Sequence, residues 1–142
     1  AKHCVDVSQR KPSSLADAAI EEGLRWDTST QCFARQTTQD VEIAGKAIPA
    51  DSRVVLIYAS ANRDDAAFDN AGIFDMSRGR GRHLGFGSGP HICLGAPAAR
   101  AMLRPILQDV LARICEYELH MDRAVRVKHL MARGFRSLPI SW

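Results

Sequence analysis

One stretch constrains this chain more than any other: Phe86-Gly87-Ser88-Gly89-Pro90-His91-Ile92-Cys93-Leu94-Gly95, followed by Ala96-Pro97-Ala98-Ala99-Arg100. Gly87 and Gly89 free the backbone for positive φ and for close approach to a flat ligand. Pro90 stiffens the turn, and Pro97 suits the first turn of a helix. The segment reads as a loop that presents one thiol and then starts a helix. Cys93 lies just before that helix, where backbone N–H groups and the helix dipole favour a thiolate over a thiol.

Several chemistries could use such a loop. Gly85-Phe86-Gly87-Ser88-Gly89 could cradle a phosphate. It lacks the Lys-Ser/Thr ending, though, and the preceding Ser77–Arg82 is too basic and glycine-rich for the strand of a dinucleotide fold. A buried structural thiol is the usual fate of a lone cysteine. A zinc site would want a Cys-x2-Cys pair, and the sequence has none. A soft anion on a rigid, glycine-lined corner also suits the proximal side of a haem iron.

The decapeptide resembles the haem-binding signature of the cytochrome P450 family, Phe-Gly-x-Gly-x-His/Arg-x-Cys-x-Gly, at every fixed position. The resemblance implies haem b as cofactor and Cys93 as its axial thiolate. It implies that His91 reaches a haem propionate, although an exposed loop histidine is the plain alternative. It implies that Phe86 and Gly87 pack against the proximal face. Backbone N–H groups at Leu94 and Gly95 would hydrogen-bond the sulfur. The reaction implied is insertion of one oxygen atom from O2 into a small organic substrate, with electrons from a ferredoxin or reductase.

Glu22 and Arg25, three apart, share one face of a helix expected from Leu15 to about Trp26, with Ser13 or Ser14 as its cap and Asp17 as a capping-box partner. Alone, they read as a solvated ion pair. Beside the Cys loop they resemble the family's Glu-x-x-Arg pair, which locks the proximal scaffold. The family adds a third partner, an arginine in a Pro-x-Arg-Phe segment. Here that segment reads Ala71-Gly72-Ile73-Phe74, so Ile73 stands where the arginine is expected, and Arg78, Arg80 or Arg82 is left to substitute. Arg35 sits in a predicted strand. It is either an edge-strand surface charge or, by resemblance, the strand arginine that pairs with a propionate.

The fold class expected is α+β, the C-terminal portion of the P450 fold. Ala1–Lys11 reads as a flexible arm. Short strands are predicted over Phe33–Thr37, Val41–Ile43, a buried Arg53–Ser60, Tyr117–Met121, Val125–Lys128 and Phe135–Ile140. By resemblance, a short helix begins near Ala59. The helix after Cys93 carries Leu103, Ile106, Leu107, Val110, Leu111 and Ile114 at helical spacing, which reads as core packing, and Pro105 should kink it.

At 142 residues the chain has the length of one domain. The likeness runs from about Leu15 to Trp142 and corresponds only to the family's C-terminal third. The long helix over the oxygen side of the haem has no counterpart here. The expectation is therefore a proximal half-site, inactive alone and open to self-association through uncovered apolar surface. The alternative is a non-catalytic remnant that serves as a binding or scaffold module without haem. A net charge of +3 is too small to argue for nucleic acid. No apolar run is long enough for a bilayer, and four scattered cysteines (Cys4, Cys32, Cys93 and Cys115) point to a reducing cytoplasm.

Overall fold

The computed structural model describes residues 12–78, 82–114 and 116–142. The arm 1–11, Arg80, Cys4 and Cys115 lie outside them. Helix α1 spans Pro12–Trp26. Proline carries a near-helical φ and has no N–H to leave unpaired, so the helix starts at Pro12. Ser13 and Ser14 therefore fall inside the first turn rather than capping it, a correction to the sequence reading.

Four small antiparallel sheets follow, each of two strands. Strand β1 (Cys32–Gln36) pairs with β4 (Arg53–Ile57), with Phe33 opposite Leu56 and Arg35 opposite Val54. Between them, β2 (Val41–Ile43) and β3 (Lys46–Ile48) form a hairpin. Its two turn residues, Ala44 and Gly45, both take positive φ, the geometry that matches strand twist in a two-residue turn. The strand predicted to reach Ser60 stops at Ile57. Tyr58–Ala61 instead forms the short helix α2, whose two alanines have the best helix propensity of any residue.

Helix α3 runs from Ala96 to Arg113 and continues through Pro105 without a break. Beyond it, β5 (Glu118–Leu119) pairs with β8 (Ile140–Ser141), and β6 (Val125–Arg126) pairs with β7 (Phe135–Ser137). The single strand expected over Phe135–Ile140 is two, because Pro139 cannot donate to a ladder. This region is tied back to the end of α1: Gln31 donates to the Met131 carbonyl and Arg133 to the Ser29 carbonyl, each at 2.7 Å.

Among the described residues the buried set is as polar as it is apolar. Ala16, Ile20, Tyr58, Ala71 and Ala96 are joined by Glu21, Glu22, Arg25, Thr28 and Asn62. The expected apolar packing is not where periodicity placed it. Val55, Leu56 and Ile57 of β4 are exposed, as are Leu103, Ile106, Val110 and Leu111 of α3. A two-stranded sheet offers no second layer. Helix α3 meets α1 through charged side chains, Arg100 to Glu21 and Arg104 to Asp17; of its apolar stripe, Leu107, on that same side of the helix, and Ile114 at its end are half-buried.

Candidate functional site

Successive turns build the Cys93 loop. The Leu84 carbonyl accepts the Gly87 N–H at 2.9 Å, and the Gly89 carbonyl accepts the Ile92 N–H at 3.1 Å across the 3-10 turn Gly89–His91. Gly87 (φ +73°) and Gly89 (φ +67°) both occupy the left-handed region, which side chains with a Cβ rarely adopt. The Cys93 N–H then returns to the Phe86 carbonyl at 2.8 Å, and the Cys93 carbonyl accepts from Ala96 at 3.2 Å. Cys93 is held at both backbone ends. Its side chain is exposed, and its thiol is free. A Cβ at Gly95 would lie 3.7 Å from Sγ, so glycine keeps the flank of the sulfur open.

Tyr58, at the start of α2, stands between the loop and strand β1. Phe33 and Tyr58 meet edge to face at 6.2 Å, and a Cβ at Gly87 would come within 4.0 Å of the Tyr58 hydroxyl. Arg35 lies two residues beyond Phe33 on the same strand face. It is half-buried and donates to the Ala34 carbonyl at 2.9 Å. His91 and Leu94 are exposed, Leu94 at 97 %. Phe86 is half-buried, with the Arg100 guanidinium 4.7 Å from its ring centre.

Behind the loop, α1 carries two buried carboxylates. Glu22 forms a two-pronged pair with Arg25, at 2.8 and 2.7 Å. Arg25 also donates to the carbonyls of Asn62 (2.6 Å), Ala71 (2.9 Å) and Ile73 (3.0 Å). The remaining capacity of Glu22 is taken by the Asp75 N–H at 2.8 Å and by Arg78 Nε at 3.3 Å. Arg78 thus occupies the third place in the network, and residue 73 contributes only its backbone carbonyl. Among the described residues the arginines that bond Glu22 are Arg25 and Arg78, not Arg82. Burial raises the Glu22 pKa, but the Arg25 hydrogen bonds, the Asp75 N–H and the two guanidinium charges outweigh it and hold the carboxyl below its usual range.

Glu21 forms a second network that the sequence reading missed. Arg100 grips it with two hydrogen bonds, 2.5 Å to Oε1 and 2.8 Å to Oε2, and His83 Nε2 lies 3.1 Å from the same Oε2. The Arg100 bonds, opposed by burial and helped by His83, lower the Glu21 pKa, and Glu21 in turn raises that of Arg100. Asn62, fully buried, was also missed. It bonds Thr28 Oγ1 and the Leu84 N–H, each at 2.7 Å, and so ties α2 to both α1 and the loop. The available signal was the Glu21-Glu22 doublet: neighbours on a helix point about 100° apart and so face different elements.

The donor chemistry fits an iron porphyrin. Among the described residues no group of three His, Cys, Asp or Glu could hold a bare metal ion. What the loop offers is one exposed soft donor, as a metal already held by a macrocycle requires. No helix among the described residues is long and apolar enough to cross a membrane.

Comparison with known proteins agrees with this geometry. A Mycobacterium bovis protein named as a cytochrome P450 is 44% identical over 123 residues, covering 86% of this chain and 31% of its own. The methyl-branched lipid omega-hydroxylase of Mycobacterium tuberculosis is 37% identical over 129 residues, covering 90% of this chain and 30% of its own. The solved structure of cytochrome P450 CYP109Q5 from Chondromyces apiculatus superimposes with a TM-score of 0.85 at 38% identity, over 92% of this chain and 34% of that one. The chain therefore spans about a third of the length of the curated relatives it matches. The cytochrome P450 family model matches residues 1–139, nearly the whole sequence, and the chain belongs to that family.

Proposed function

We propose that this chain forms the proximal half of the haem pocket of a monooxygenase. The observation that carries the reading is Cys93: a free, exposed thiol on a loop closed by its own N–H to the Phe86 carbonyl. Cys93 would supply the axial sulfur of haem b. Phe86 and Gly87 would lie under the proximal face and keep water from the thiolate. The N–H groups of Leu94 and Gly95 would face the sulfur, and Arg35 and His91 would hold the propionates. Haem bound through a thiolate supplies the O2 chemistry that places one oxygen atom in an organic substrate.

The lipid hydroxylase among the relatives favours an apolar organic substrate. Electrons would come from a ferredoxin or reductase, and a reducing cytoplasm would keep Cys93 a thiol. The oxygen side of the site has no counterpart in the described residues, so the chain alone should bind haem weakly and turn over no substrate. The exposed faces of β4 and α3 favour one rival, a haem-free binding module. Titration of haemin into wild type and Cys93→Ala separates the two. A Soret band whose position and affinity depend on Cys93 supports the axial role. Identical titrations sink it, and turnover by the purified chain overturns the half-site reading.

A further inference from the structure

We propose that Glu21, acting through Arg100 and His83, is the positioning group for the Cys93 loop. Two routes run from its carboxylate to the loop backbone. On the first, Arg100 holds Glu21 with two hydrogen bonds and lays its guanidinium 4.7 Å from the centre of the Phe86 ring. A planar guanidinium can do both at once, because the fork that grips a carboxylate and the face that stacks on an aromatic ring are different parts of it. On the second, His83 Nδ1 accepts the Gly85 N–H at 3.1 Å, which leaves the proton on Nε2 to reach Glu21 at 3.1 Å.

The routes converge on Gly85-Phe86, and the Phe86 carbonyl receives the Cys93 N–H. Phe86 is thus fixed through its ring on one side and its backbone on the other, and the place of the sulfur follows. Gly85 belongs to the same device: a Cβ there would stand 2.8 Å from the Leu24 carbonyl, so only glycine lets the loop lie this close to α1. Helices α1 and α3 have a second charged contact, Asp17 with Arg104 at 2.6 and 2.9 Å, one helical turn away. That pair joins the same helices, and among the described residues no hydrogen bond or ring contact ties it to Phe86, so it serves as an internal control.

The functional meaning of the device, holding the axial sulfur, rests on the haem reading; its existence does not. Amide hydrogen exchange on the full chain, without haem, tests it. In Glu21→Gln and Arg100→Gln, protection of the Cys93 amide should fall about tenfold, while the Val54 and Leu56 amides of β4, which face β1, change less than about threefold. Asp17→Asn should leave Cys93 within about threefold of wild type. Arg100→Lys keeps the charge and secures a folded comparison; it should restore the melting temperature without restoring Cys93 protection. A fall at Cys93 under threefold, a fall matched in β4 or by Asp17→Asn, or full recovery with lysine would each overturn the proposal. A parallel haemin titration of wild type reports on the haem reading separately.

Discussion

Gly85 and the two buried glutamates show how single residues set this site. At Gly85 the obstacle is contact: a methyl group would meet the Leu24 carbonyl at 2.8 Å and His83 Nδ1 at 3.0 Å. Gly85→Ala should push the loop off α1 and lower stability by about 1–3 kcal/mol, read from denaturant unfolding; an unchanged midpoint would show that the contact can relax. At Glu21 and Glu22 the effect is ionic. Both have folded pKa values below the unfolded one, so protons favour the unfolded chain. Their stabilisation is complete above the ordinary carboxylate value, about pH 4.5, and fades as pH falls through the lowered folded values. Thermal midpoints should be level near neutrality and drop in acid. The drop should shrink in Glu22→Gln measured against its own neutral value; an equally steep decline would assign the acid sensitivity elsewhere.

Among the elements, α1 organises the rest, and only part of its role was readable beforehand. Spacing put Glu22 and Arg25 on one face, and Arg78 was one of three candidates for the third place. That Arg78 and not Arg82 reaches Glu22 depends on the turn Met76–Arg78, which local composition does not encode. Arg25 holds both Glu22 oxygens and three carbonyls from a buried position, whereas Arg78 approaches Glu22 with one nitrogen at 3.3 Å and makes its other bonds, to the carbonyls of Asp69, Asn70 and Ile73, in exposed surroundings. Arg25→Ala should therefore cost about 3–5 kcal/mol by stranding a buried carboxylate. Arg78→Ala should cost about 1 kcal/mol. Equal losses in chemical denaturation would mean that Arg78 is a full member of the pair. Helix α3 shows the opposite limit. Its apolar stripe was plain in the sequence, but periodicity reports which side chains share a face, not what covers that face. Here Arg100 and Arg104 make the charged contacts to α1, Leu107 beside them is half-buried, and Leu103, Ile106, Val110 and Leu111 stay exposed.

For the molecule as a whole, the Cys93 loop was legible because a dense motif records local turn chemistry. The polar interior was not, since its partners lie as far apart as Glu21 and Arg100. The uncovered faces of β4 and α3 have a solution consequence. Sedimentation velocity should show concentration-dependent association below roughly 100 µM, where transiently or permanently exposed apolar surface begins to drive it. A single monomeric boundary through that range would mean that the exposed side chains are too dispersed to cohere. The paired carboxylates of α1 carry one further implication. Adding one residue to the helix ahead of them turns everything upstream by about 100° relative to the downstream loops. Asp17 would swing away from Arg104 while Glu21 and Glu22 stayed in place, whereas the same addition after Glu22 would unseat Arg25. Length variation among kindred chains should therefore collect in the Ala44-Gly45 hairpin and be nearly missing between Asp17 and Arg25.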